Sequence, residues 1–188
     1  MRVAAIALVL MVGFGCDDEA AVTKGVRVAP AGKPWATLAE WQLFADAAHQ
    51  VPAEGVLPYE VISPLFSDYT SKHRFVWLPE GAKITYRDDG AWELPVGAIA
   101  IKTFAYPIDA RDASKGERIL ETRLLVHEVT GWEPHTYVWD EAQTTATHKV
   151  AGTFVETSWI DETGATQEHR YVVPSGSECR ECHGHAPD

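Results

Sequence analysis

At 188 residues, with 46% hydrophobic and 23% charged side chains, the chain has room for one domain with a substantial core and is too apolar to be disordered. Its formal charge of −11 comes from 27 acidic and 16 basic side chains, and no run of Lys or Arg gives nucleic acid an electrostatic footprint. That class of partner is excluded, and the acidic balance describes a solvated surface.

Residues 1–15 carry one positive charge at Arg2, then an apolar stretch ending at Phe14. This is the pattern of a secretory signal peptide, too short to span a bilayer. Gly15 directly before Cys16 resembles the cleavage site of bacterial lipoproteins, although Gly13 and Phe14 depart from the usual residues there. The expectation is a lipidated Cys16 and a protein anchored at the periplasmic face of a bacterial membrane. The alternative is an ordinary signal peptide cut nearby. The cysteine count supports lipidation: the chain has three, Cys16, Cys179 and Cys182, an odd number for an exported protein.

Residues 16–34 are polar and aperiodic, the composition of a flexible tether. A β-rich domain is expected over residues 35–174. It opens with Thr37-Leu38-Ala39-Glu40, a capping-box pattern. Leu38, Trp41, Phe44 and Ala45 come after it at helical spacing, predicting one amphipathic helix over residues 37–48.

After Pro52 the period changes to two. PYEVISP, KHRFVWLP, AKITYRDDGAWELP, AIAIKTFAYP, RILETRLLVHEV, GWEPHTYVWD, GTFVETSWID and EHRYVVP are short β-prone runs separated by turn residues. His73, Phe75 and Trp77 share one face of their run, as do His135, Tyr137 and Trp139. Asp88-Asp89-Gly90 suits a tight hairpin. The fold class expected is mainly β, an antiparallel β-sandwich or barrel-like sheet, with one N-terminal helix and a short C-terminal helix.

That C-terminal segment, residues 175–188, holds Cys179-Arg180-Glu181-Cys182-His183. Two cysteines three apart put both sulfurs on one side of a helical turn, as attachment to the two vinyl groups of a haem requires. His183 then supplies an imidazole to the iron. Ser175-Gly176-Ser177-Glu178 has capping-box spacing, and Gly184 suits the helix end. Three other readings stay open. Zinc held by Cys179, Cys182, His183 and His185 has suitable atoms but crowds consecutive ligands round one tetrahedron. A redox-active dithiol lacks its usual βαβ setting. A plain Cys179–Cys182 disulfide needs no cofactor at all.

Both methionines, Met1 and Met11, fall in the signal segment, so a second iron ligand would come from His49, His73, His127, His135, His148 or His169, from another chain, or not at all. There is no G-x-S-x-G, no H-E-x-x-H, no phosphate loop and no dinucleotide fingerprint.

From about Trp41 to His183 the chain resembles the β-rich N-terminal part of a family of exported bacterial c-type cytochromes, many of them dihaem proteins of unassigned role. The resemblance rests on PYEVISPLFSDYTSKHRFVWLPEG, LPVGAIAIKTFAYP, ERILETRLLVHEVTGWEPHTYVWDEAQT and YVVPSGSECRECH. It implies that Cys179 and Cys182 attach haem c, that His183 is the proximal iron ligand, and that the protein passes single electrons to a periplasmic redox partner rather than catalysing a reaction. Family members continue beyond this motif, whereas only Gly184-His185-Ala186-Pro187-Asp188 come after it here. The expectation is therefore either a shortened relative with haem packed on its own β-domain, or a product of a split gene.

Overall fold

A computed structural model of the chain describes residues 25–183. The expected signal peptide, the lipidation site Cys16 and the first part of the tether lie outside the described residues, as do Gly184 and His185.

The fold is mainly β, with antiparallel sheets throughout. The first element corrects the expected helix over residues 37–48: there is only a 3-10 turn, Leu38–Trp41. The cap exists, since the Thr37 N–H and hydroxyl both donate to the Glu40 carboxylate, at 2.8 and 2.9 Å. The turn ends because Gln42 takes a left-handed conformation at φ 55°. Trp41 and Leu43 are then both buried, a period of two that helical spacing did not anticipate. Strand β1 (Phe44–Asp46) comes next and pairs with β2 (Val51–Pro52).

Six strands form the main sheet in simple sequence order: β3 (Val56–Pro58), β4 (Ser71–Trp77), β5 (Ile99–Pro107), β6 (Glu117–Glu128), β7 (Gly131–Trp139) and β8 (Ala146–Lys149). Two expected strands are absent as ladders. PYEVISP lies mostly in the connection after β3, where Pro58 and Pro64 lack backbone donors. ITYR and AWEL are joined by a single bridge, Thr85 to Glu93.

Alternation gives the sheet two different faces. On the first, Phe75, Ile99, Ile101, Leu124, Val126, Tyr137 and Trp139 pack against Leu38, Trp41 and Leu43 of the N-terminal segment. The Trp41 indole N–H donates to the Tyr137 hydroxyl at 2.5 Å, and that hydroxyl donates to the Trp35 carbonyl at 2.9 Å. His73 and His135 are on this face with their expected neighbours.

The second face is covered in part by a separate hairpin, β9 (Thr153–Ile160) with β10 (Thr166–Val173), paired along its whole length. Its Tyr171 and Val173 pack on Phe104 and Leu120, and Trp159 stacks on Tyr106 with ring centroids 4.4 Å apart. A bulge opposite the step Phe104–Ala105 leaves Leu120 of β6 unpaired and turns it into this second core beside Phe104. This layering of hairpin on sheet is consistent with a β-sandwich. Among the described residues no helix is long and apolar enough to cross a membrane.

Candidate haem-attachment site

Helix α1 (Gly176–His183) begins after only Pro174 and Ser175 at the end of β10, so the hairpin that covers the second face also delivers the helix to it. The close passage requires Gly152: a Cβ there would stand 3.1 Å from the Val173 carbonyl oxygen and 3.2 Å from the Ser175 nitrogen. The expected cap forms, with the Ser175 N–H and hydroxyl each donating to the Glu178 carboxylate at 2.7 Å. Arg180 pairs with the Glu133 carboxylate of β7 and pins the helix to the sheet.

Cys179 faces inward and is 8% exposed, while Cys182 and His183, on the same side of the helix by their three- and four-residue spacing, are exposed. Both thiols are free. Burial pushes the Cys179 thiol up, an effect that Arg123 beneath it partly offsets. Burial, then Lys102 and Arg123, push the His183 imidazole down. His183 is thus neutral at neutral pH, the form that ligates a metal, and among the described residues no hydrogen bond occupies its ring nitrogens.

These residues could hold a covalent haem, one of the four readings open from the sequence. A thioether is uncharged and suits the buried position of the Cys179 sulfur.

The candidate second ligands are scattered. His135 and His148 lie on the first face, because His135 pairs with Leu124 and His148 with Tyr137, although the Arg180–Glu133 pair of α1 and β7 is close enough to act on His135. Burial holds His135 down at about 4. His49 sits in the β1–β2 turn with Asp46, and His73 pairs with Glu117 at 2.5 Å. His127 is on the second face, stacked on Trp132, with its Nδ1 2.9 Å from the Leu94 carbonyl oxygen. His169 contacts the Tyr106 ring. Among the described residues no ring contact or hydrogen bond joins any of these to His183.

Two features of the second face were missed in the sequence. One is the buried Glu121, 0% exposed, which accepts from the Tyr171 hydroxyl at 2.6 Å and from the Arg123 guanidinium at 2.9 and 2.5 Å. The other is a row of cations, Arg74, Lys102 and Arg123, directly opposite one another on β4, β5 and β6, with Lys72 two residues from Arg74. The available signal was a Lys or Arg interrupting each apolar run. A groove of about 1420 Å³ also opens between the hairpin and the end of the sheet, lined by Tyr69, His73, Glu117, Trp159 and His169 among others.

Comparison with models of known protein families, with curated proteins and with solved structures finds no match for this chain.

Proposed function

We propose that this is an exported c-type cytochrome that carries one covalent haem on Cys179 and Cys182, with His183 as proximal ligand, and transfers single electrons to a periplasmic partner. The observation that carries the reading is the helix itself: two free thiols and a neutral, unengaged imidazole on one side of a turn docked to a rigid sheet. A haem supplies one-electron chemistry at its iron, tuned by axial ligand and burial. The protein's part is to hold that group at the sheet surface. In this reading residues 1–15 direct export and a lipid on Cys16 tethers the β-sandwich domain to the membrane.

A second reading is a non-haem β-scaffold or binding module that works through the groove beside His73 and His169. The two separate in a pyridine haemochrome assay on protein exported by a host with c-type maturation machinery, beside a Cys179→Ser, Cys182→Ser double variant. The cytochrome gives close to one covalent haem per chain, lost in the variant. Wild-type protein without haem refutes it and leaves the scaffold.

A further inference from the structure

We infer that the cation row Arg74–Lys102–Arg123, with Lys72 beside it, is an anion cradle built for the propionate carboxylates of the group held by Cys179, Cys182 and His183. This rests on the haem reading and adds the residues that would orient that group on the sheet.

The register fixes the row. Arg74 pairs with Lys102 and Lys102 with Arg123, so the three stand side by side on adjacent strands, about 4.8 Å apart each. Four cations converge in a chain whose formal charge is −11. Their counter-charges are few. Arg123 is engaged by Glu121, and among the described residues the one carboxylate within ion-pair distance of Arg74 is Glu60, at 3.9 Å and with its side chain 87% exposed. Lys72 donates to the Thr70 carbonyl oxygen at 2.9 Å.

Lys102, at the centre, has no carboxylate within ion-pair distance among the described residues. Its ammonium sits 4.8 Å above the Phe104 ring, which Arg123 also covers at 4.4 Å. Burial first, then Arg74, Arg123 and Lys72, push the Lys102 amine down. A half-buried cation among like charges destabilises the fold unless an anion joins it.

Position ties the row to the attachment helix. The Cys179 thiol lies against Thr136 of β7, and Thr136 stands opposite Arg123 in the strand register. A porphyrin joined to protein along its vinyl edge carries its carboxylates on the opposite edge. The row runs from Arg123 outward to Arg74 on β4.

The test is a change of sign. Lys102→Met removes a like-charge clash in haem-free protein but a carboxylate partner in haem-loaded protein. In the Cys179→Ser, Cys182→Ser background it should leave the thermal midpoint unchanged or raise it. In the haem-loaded chain it should lower the midpoint by about 2–4 °C. It should also lower the reduction potential, whereas Arg87→Gln, a charge loss in the loop at Glu93, should not. Haem present with midpoint shifts of the same direction in both backgrounds overturns the cradle alone and assigns the row to another anion, such as an acidic partner surface. Wild-type protein without covalent haem overturns the cradle together with the haem reading. Should Lys102→Met not fold, Lys72→Met is read the same way.

Discussion

The two cysteines of α1 should differ sharply in reactivity when the protein carries no haem, because Cys179 is buried against the sheet and Cys182 is exposed. Alkylation of reduced, haem-free protein at pH 8 reads this directly. Cys182 is exposed and should react at the rate of an open thiol. Cys179 should react only when α1 lifts from β7. Two contacts oppose that opening. Burying the Cys179 side chain contributes about 1–1.5 kcal/mol. The Arg180–Glu133 pair, with side chains 50% and 27% exposed, adds about 0.2–1 kcal/mol. The sum of roughly 1–2.5 kcal/mol slows Cys179 by about 5- to 60-fold at a factor of ten per 1.4 kcal/mol. The raised thiol pKa slows it further. Removing the ion pair with Glu133→Gln should speed Cys179 by up to about fivefold and leave Cys182 alone. Mass spectrometry of the labelled peptides resolves the two sites. Equal rates would show that the helix is not docked. A Cys179 that reacts only at the global unfolding rate would show that far more than these two contacts holds it.

Buried polar groups give two further expected outcomes. Tyr171→Phe removes a donor from the buried Glu121 carboxylate and should cost about 1–3 kcal/mol in urea unfolding; a loss under about 0.5 kcal/mol would mean that Arg123 alone satisfies it. His135, held down at about 4 against an ordinary value of 6.5, is neutral in the folded protein and takes up a proton on unfolding below pH 6.5. Its stabilisation is therefore complete above pH 6.5 and declines by about 2–3 kcal/mol as pH falls towards 4, so His135→Gln should flatten the acid limb of the stability profile. An unchanged limb would assign the acid sensitivity to other groups.

Local pattern carried most of the strands and the C-terminal helix. SKHRFVW alternates cleanly because His73, Phe75 and Trp77 meet the first core while Lys72 and Arg74 point the other way. Ser175 and Glu178 announced α1 because a cap is made within four residues of chain. The N-terminal helix was misjudged for the converse reason. Its cap is equally local, but the path of the chain beyond Trp41 is decided by the sheet, which buries Trp41 and Leu43 two residues apart and overrides helical spacing. The cation row was hidden for a related reason. Arg74, Lys102 and Arg123 meet only through strand register, and register is set by a core and a bulge that no single run displays.

The two faces of the sheet therefore perform different work. The first is closed by apolar side chains from the N-terminal segment, with Tyr137 tying Trp41 and Trp35 across it. The second is closed at one end by Tyr171 and Val173 of the hairpin, and its remainder presents cations over a buried carboxylate. A face built only for stability would place apolar residues at Lys102, since neighbouring Arg74 and Arg123 oppose a third cation there. Next to that row Leu57 of β3 is exposed, as are Ile62, Leu65 and Phe66 of the connection after it, whose Glu60 reaches Arg74. The charged floor and the helix bearing two thiols and an imidazole meet at Thr136, which stands opposite Arg123 and against Cys179. In the proposed cytochrome reading, this is the side on which a flat, largely apolar group with acidic substituents would sit.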